Sequence, residues 1–265
     1  MADPASVQDQ PEAIDRAFLL QFGREVLNAF ENDPSDLLRA VKRVGSSDTL
    51  AVFQKPPTGL ATTKSTHGMV PVLNLDHSAY PIYFEEVDIK QPVDDINSLK
   101  MNVDKRRSIA NACGDGFVSK ADQIICKKLE NNTDNLIQHC NDGLCPAKLD
   151  YAIDDSEIPK ICLVGFTQWA QLHFHSAFKY CDYVRGFKNA KYYHNCLVLP
   201  TVYLPLYDGV RTCFIFERDT VAAGYTSPIK TRHKVVEDEH NIFLEMDLGC
   251  GISSEITAIE CVENL

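Results

Sequence analysis

The chain has no apolar run long enough to cross a bilayer. Its longest mostly apolar stretch, Cys196 to Leu206, holds 11 residues and two prolines, against the roughly 20 that a membrane helix needs. The N-terminus, MADPASVQDQPEAIDR, is polar and acidic and lacks the apolar core of a signal peptide. A soluble chain made in a cytoplasm, with no membrane partner, is expected. Positive charge is also in deficit: 26 Lys and Arg stand against 37 Asp and Glu, a net charge of -11. That balance argues against general nucleic-acid binding, in which Lys and Arg neutralise phosphates. It is compatible with a surface that encloses nucleic acid without adhering to it.

Catalytic signatures are missing as well. There is no GxSxG nucleophile elbow, no GxxxxGK[ST] phosphate loop, no HExxH and no dinucleotide fingerprint. Asp115, between Gly114 and Gly116, falls inside a predicted helix rather than between a strand and a helix. His173 and His175 flank Phe174 and would point to different faces of a helix, which is wrong for shared metal binding. The acidic pairs Glu85-Glu86, Asp94-Asp95 and Asp154-Asp155 could set carboxylates side by side, as hydrolases need, but adjacent acids on loops are ordinarily solvated charge. No cofactor and no metal are expected.

Cysteine, by contrast, is plentiful: ten, at 113, 126, 140, 145, 162, 181, 196, 213, 250 and 261. None forms a CxxC pair, which argues against a zinc ribbon or redox motif. Several sit in apolar runs such as ICLVGF, NCLVLP and RTCFIF and read as small buried hydrophobes. His139, Cys140 and Cys145 make an incomplete ligand set without a clear fourth member. A cysteine-dependent hydrolase stays open as an alternative, although no spacing singles out a Cys/His pair.

The 265 residues are 45% hydrophobic, enough for one large domain or two small ones. The segment from Asp95 to Asn131 reads as one long helix, with Leu99, Val103, Ala110, Cys113, Phe117, Ala121 and Ile124 at helical spacings. Its length would be on the order of 45 Å, and no catalytic group lies on its face. Its glycines, 114 and 116, are expected to permit a close contact or a bend. Before it, Ala17 to Phe30 shows a helix with Phe18, Phe22, Val26 and Phe30 on one face. Ser35 is placed to cap a short helix over Asp36 to Val44.

A strand over Leu50 to Phe53 leads into the Thr/Ser/Pro/Gly-rich stretch Lys55 to Gly68. A second strand over Val70 to Leu75 and a partly alternating segment from Ala79 to Lys90 complete a projecting hairpin, whose unpaired edges need a partner surface. After the long helix, Asn131 to Pro159 is polar and turn-rich. Ile161 to Phe166 reads as a buried strand, and Thr167 to Lys179 as a helix anchored by Trp169, Leu172 and Phe178. Tyr180 to Asn195 is an aromatic-rich loop. Two strands, Cys196 to Leu204 and Arg211 to Glu217, are joined around the turn pair Asp208-Gly209. Asp219 to Tyr225 is expected as a short helix, Lys230 to Val235 as a strand with one charged face, and Ile242 to Leu248 as an apolar segment bordering Gly249-Cys250-Gly251. Glu255 to Val262 is the last strand. The class is α+β, with mostly antiparallel strands and one dominant helix.

The order of these elements resembles the major capsid proteins of tailed bacteriophages, of the Hong Kong 97-type fold. Four stretches carry the resemblance: QFGREVLNAFENDPSDLLRAVKRVG with the following hairpin containing KSTHGMVPV; VDDINSLKMNVDKRRSIANACGDGFVSKADQIICKKL, similar to the family's spine helix; IPKICLVGFTQWAQLHFHSAFKYCDYVRG; and the tail from CFIFERDTVAAGYTSP to ITAIECV. Together they span roughly residues 17 to 263.

The resemblance implies an N-terminal arm over 1–47 and an extended hairpin loop with its lead-in strands over 48–90. It implies a peripheral domain from 91–132 and 226–265 built on the spine helix, and an axial domain over 133–225. It implies a structural shell subunit rather than an enzyme, located in the virion capsid and assembled in a host cytoplasm. Such a subunit forms pentamers and hexamers of an icosahedral head around double-stranded DNA without sequence-specific binding. Inter-subunit contacts are expected at Lys55, Gly59, Thr62, Thr63, Lys64, His67 and Gly68. Portal and decoration proteins are further implied partners. The first expected helix begins at residue 17, so any scaffolding protein is expected to be separate. A cellular encapsulating shell of the same fold is the close alternative.

Overall fold

A computed structural model describes residues 16–46, 50–54, 79–93, 96–140, 143–153, 159–236 and 239–263. The seven expected contact residues between Lys55 and Gly68, the strand expected over Val70 to Leu75, and the acidic pairs Asp94-Asp95 and Asp154-Asp155 lie outside the described residues.

Helix α1 (Arg16–Asn32) buries Phe18, Phe22, Val26 and Phe30, the face expected from their spacing of four. The expected long helix is in fact two. A short α3 (Ile96–Met101) stops at Asn102, whose side chain accepts a hydrogen bond from the Lys105 backbone N–H at 3.0 Å and so starts α4 (Val103–Asn131) afresh. At 1.5 Å per residue α4 runs about 43 Å. Its buried stripe begins at Arg106 and Ala110; Val103, expected inside, is 44% exposed because it is the first residue after the cap.

Helices α1 and α4 lie side by side. Gly114 makes this possible: a Cβ there would stand 2.7 Å from the Ala29 Cβ and 3.1 Å from the Phe30 backbone nitrogen. Gly116, by contrast, meets only the Ile89 side-chain tip at 3.1 Å. The half-covered ion pair Arg106 Nε–Glu25 Oε2, at 2.8 Å, ties the same two helices together.

Helix α2 (Asp36–Ala40) is shorter than the helix expected to reach Val44. Ser35 caps it, accepting from the Leu38 N–H at 3.0 Å, but after Val41 the chain turns extended and forms β1 (Lys42–Ser46). Pairing with a neighbouring strand overrides local helical pattern here: β1 runs parallel to β10 (Val221–Thr226), with Lys42 opposite Ala222. The same override corrects the short helix expected over Asp219 to Tyr225. Its alanines are small strand residues facing a tight interior, not helix formers.

The first sheet has the order β1-β10-β12-β3-β2, with β11 (Lys230–Val236) also on β12. Strand β12 (Glu239–Ile252) pairs with β3 (Ala79–Val93) from His240 opposite Val93 to Cys250 opposite Tyr83. On its other side it pairs with β11 and then β10. β2 (Leu50–Gln54) completes the edge. The charged face expected on β11 is present: Lys230 and Arg232 both pair with the Glu245 carboxylate on β12, chiefly Lys230, which holds that carboxyl below its usual range.

The second sheet has the order β4-β13-β9-β5-β7-β6. Its members are β4 (Thr133–Cys140), β5 (Lys160–Val164), β6 (Lys191–Tyr193), β7 (Cys196–Pro200), β9 (Val210–Glu217) and β13 (Ile256–Val262), with the two-residue β8 (Leu206–Tyr207) on β9. The polar stretch after the long helix therefore holds an edge strand and a helix, α5 (Pro146–Ile153). The strands expected to pair around Asp208-Gly209 do not: β5 lies between β7 and β9, and the turn, with positive φ at both residues, joins β8 to β9. Helices α6 (Phe166–His173) and α7 (Ser176–Lys179) follow β5, with Leu172 and Phe178 fully buried. Strand pairing crosses the domain limits implied by the resemblance, since β1 and β10 belong to the first sheet and β13 to the second.

One carboxyl is buried where α2 meets α4. Ser35 Oγ donates to Asp122 Oδ1 at 2.7 Å. Burial raises the Asp122 pKa from 3.8 to about 7, with the Ser35 hydrogen bond opposing and nearby Asp36 adding to the rise. A carboxyl whose folded pKa exceeds its unfolded value contributes stability that is fully present below about pH 4 and is lost as pH climbs through about 7. Urea unfolding of the wild type between pH 5 and pH 8 should show that decline. Asp122→Asn should flatten it and be more stable at pH 8 by on the order of a few kcal/mol. The two helix glycines should separate in the same assay. Gly114→Ala should destabilise by roughly 1–3 kcal/mol through overpacking, and Gly116→Ala should be neutral or stabilise by up to about 1 kcal/mol.

Candidate assembly surfaces

Two surface features are held rigidly without serving a catalytic centre. The first is the root of the hairpin. β2 and β3 pair to their ends, with Leu50 opposite Tyr83 and Gln54 opposite Ala79. The chain from 55 to 78 therefore leaves and returns at one point. Beneath this point Ala51, Phe53, Ile82 and Ala222 form a small core of their own, packed by Val44, Tyr80 and Phe84.

Three glycines on the strands behind leave room for it. A Cβ at Gly224 would stand 2.8 Å from the Phe84 ring, one at Gly251 2.8 Å from the Phe53 ring, and one at Gly249 2.4 Å from the Tyr83 carbonyl oxygen. Sequence reasoning placed Gly249 and Gly251 only at the border of an apolar segment. The usable signal was their two-residue spacing, which puts both on one face of a strand.

The second feature is the aromatic-rich stretch around α7, from Phe174 before that helix through the loop after it to Tyr192 in β6. Phe174, Tyr180 and Tyr183 are 87%, 79% and 62% exposed, and Tyr192 is exposed beside them in the chain. Scattered surface apolar residues are normal, but several exposed aromatics along one stretch of chain make it a candidate interaction surface. The loop is held from behind. The Lys191 ammonium, itself buried, donates to the Lys179 carbonyl at 2.9 Å and lies 4.6 Å from the Tyr183 ring centre and 5.5 Å from that of Phe178. The Asp36 carboxylate accepts from the Lys188 and Asn189 N–H groups at 2.8 and 2.9 Å, and Arg39 Nη1 donates to the Gly186 carbonyl at 2.7 Å. Helix α2 thus pins this loop to the first sheet's side of the molecule.

The residues weighed for chemistry do not converge. His173 Nδ1 lies 2.9 Å from the Trp169 carbonyl oxygen, while His175 begins α7. Asp115 is exposed along α4, and Glu85 and Glu86 are exposed on β3. Cys140 is buried and Cys145 half-buried; the His139 side chain lies outside the described residues. Glu86, Asp88 and Glu245 bring three carboxylates together, but Glu245 is already neutralised by Lys230 and Arg232. Three of the cysteines run opposite to what a hydrolase nucleophile needs. Burial pushes Cys113 up to about 11 and Cys250 up to about 12, and raises Cys126 further. A hydrolase's thiol is activated by the reverse shift. No described helix is long and apolar enough to cross a membrane.

A family model described as phage capsid protein matches residues 14–148, just over half of the chain. The chain belongs to the phage capsid protein family. Solved structures place its fold. The head of Helicobacter pylori bacteriophage KHP40 matches with a TM-score of 0.60 and 12% identity, covering 85% of this chain and 87% of that one. The capsid of Ralstonia phage GP4 matches at 0.59 and 11%, covering 85% and 88%. The SrpI encapsulin of Synechococcus elongatus PCC 7942 matches at 0.59 and 11%, covering 84% and 86%. No curated protein sequence matches.

At such identities the shared property is the fold, and it is the Hong Kong 97-type fold that the order of elements implied. Family and fold point to a structural rather than enzymatic protein. In this capsid protein α4 is the spine helix, and the glycine-backed core lies beneath the paired ends of β2 and β3. Gly249→Ala should press against a backbone carbonyl that cannot move aside and cost roughly 1–3 kcal/mol in urea unfolding. A substitution on the outer face of the same root, Val52→Thr, should change stability by less than about 0.5 kcal/mol.

Proposed function

We propose that this capsid protein is the major shell subunit of an icosahedral phage head, assembling through pentamers and hexamers around double-stranded DNA in a host cytoplasm. The aromatic loop is the observation that carries the reading: its rings are exposed, yet a buried lysine and α2 hold their backbone in place. Subunits that close rings meet heterologously, so each copy needs two different complementary surfaces. The loop at the end of the second sheet is one, and the hairpin from 55 to 78 is the other, with Lys55, Gly59, Thr62, Thr63, Lys64, His67 and Gly68 contacting a neighbouring copy.

Residues 1–47 serve as the arm, 48–90 as the hairpin and its lead-in, 91–132 with 226–265 as the peripheral domain, and 133–225 as the axial domain. Strand β13 is shared with the axial sheet. The acidic surface limits adhesion to the packaged genome. A scaffolding protein, a portal and decoration proteins are the further partners of this reading.

The fold match to an encapsulin favours one second reading, a cellular encapsulating shell. Expression with and without a scaffolding protein, followed by negative-stain imaging, should give closed particles or capsomers; protein that stays monomeric in both would overturn the assembly reading. Packaged DNA separates a phage head from a shell holding enzyme cargo. Phe174→Ser combined with Tyr183→Ser should lower particle yield by at least about tenfold, since interface aromatics dominate association energies, without shifting the melting temperature of the unassembled protein by more than a few degrees.

A further inference from the structure

Five neighbouring strands of the second sheet each carry one cysteine: Cys140 on β4, Cys261 on β13, Cys213 on β9, Cys162 on β5 and Cys196 on β7. All five side chains are fully buried. The register sorts them. Cys213 stands opposite Ile259, two residues from Cys261; Cys162 stands opposite Ile215, two residues from Cys213, and opposite Val198, two residues from Cys196. These are diagonal neighbours: the sulfurs of Cys162 and Cys196 and of Cys213 and Cys261 touch, but diagonal backbones stand roughly 7–8 Å apart, beyond the usual span of a disulfide. Cys261 and Cys140 alone among these contacts are directly opposed, on parallel strands. Among the described residues no three cysteine sulfurs come within reach of a single metal ion, so the row is not a thiolate metal cluster.

We propose that Cys140 and Cys261 are a redox modification site, a dithiol that closes to a disulfide when the protein meets a small-molecule disulfide such as oxidised glutathione. Three further observations support it. The Cys261 sulfur is in hydrogen-bond reach of the Cys140 sulfur as well as of its diagonal neighbour Cys213, so an exchange partner for Cys140 is already beside it. The Lys148 side chain on α5 hydrogen-bonds Cys140; burial raises that thiol, and the ammonium opposes the rise by favouring the thiolate. Strand β4 is a sheet edge, and its pairing with β13 carries register shifts between Ile256 and Thr257 and between Ala258 and Ile259. Edge strands with broken ladders open locally at low cost, which gives a buried thiol its access.

The step balances. The Cys140 thiolate attacks one sulfur of the small disulfide, whose S–S bond breaks and releases one small thiolate. The Cys261 thiolate then attacks the Cys140 sulfur, forming the protein disulfide and releasing the second small thiolate. The two protons lost by the cysteines end on the two small thiols. Two cysteines are oxidised and one small disulfide is reduced. The bond ties the edge strand β4 to the closing strand β13 across most of the second half of the chain. The inference stands on strand register and thiol chemistry and does not depend on the assembly reading.

The folded full-length protein should be incubated with oxidised glutathione, quenched in acid, alkylated and mapped by mass spectrometry, with circular dichroism confirming that it stays folded. A Cys140–Cys261 peptide, lighter by two hydrogens than its reduced pair and restored by dithiothreitol, is the expected result. No bridge in folded protein, or bridges drawn indiscriminately from the other cysteines, would overturn the proposal. Cys196→Ser should leave the bridge intact. Lys148→Met should slow bridging roughly threefold to tenfold, with Lys148→Arg restoring much of the rate; an unchanged rate in Lys148→Met overturns the part given to that ammonium. Because the wild-type map is decisive alone, the proposal stays testable even if a variant misfolds.

Discussion

Strand β12 is the member on which the two halves of the first sheet depend. It is hydrogen-bonded along one side to β3, and along the other to β11 and then β10. Most of its backbone is paired on both sides, and where the β11 ladder gives way to β10 the Asp247 N–H donates to Thr226 Oγ1 at 2.9 Å, so the strand cannot slip without breaking two ladders at once. Its side chains then set three other features. Leu244, Met246 and Leu248 are buried in the main core, Glu245 gathers the charges of β11, and Gly249 and Gly251 open the space filled by the hairpin root. A slip of one residue would exchange these faces and empty that root.

The second sheet communicates with this frame through small polar joints. Helix α2 is only five residues long, yet Asp36 reaches the 188–189 backbone, Arg39 reaches Gly186, and Ser35 reaches Asp122 on the spine helix. At the other end Tyr207 on β8 donates to the Glu130 carboxylate of the spine helix at 2.8 Å. These contacts are few and specific. A polar joint fixes orientation through geometry, whereas an apolar face can slide, and orientation between the two sheets is what a shell subunit has to transmit.

Periodicity made the helices legible. The fourfold spacing from Phe18 to Phe30 and the stripe from Ala110 to Ile124 have one physical cause, burial of one helical face, and both appear as read. What periodicity could not supply was pairing. Ala222 and Ala223 look helical alone and become strand because β1 and β12 flank them. The segment after Asn132 looks like loop because its edge strand is polar, and it acquires a partner only from β13, more than a hundred residues away. Asn102 caps α4 and breaks the helix, but the apolar pattern runs on across it from Leu99 to Val103, so periodicity alone shows no break. Of the surfaces, the aromatic loop was visible as composition, while the fixing role of Lys191 was not, since a lysine between Ala190 and Tyr192 gives no sign of burial. The element order carried the family because fold-level sequence likeness survives where single motifs do not.

That buried lysine bears on how a shell can be assembled from one modest subunit. Each exposed aromatic that must be ordered on contact costs roughly 0.5–1.5 kcal/mol of lost freedom, and backbone ordering adds to it. In a closed particle this cost recurs at every copy of the contact. Holding Tyr183 against the Lys191 ammonium, and the 186–189 backbone against α2, meets part of the cost during folding, where it is shared with the cohesion of the subunit. The glycine-backed root applies the same logic to the hairpin, because β2 and β3 are fixed up to the residues at which the chain departs. A subunit with loose loops would need larger interfaces to reach the same association energy. In the proposed assembly, a subunit with rigid roots reaches it through a few exposed rings, since less ordering has to be met on contact.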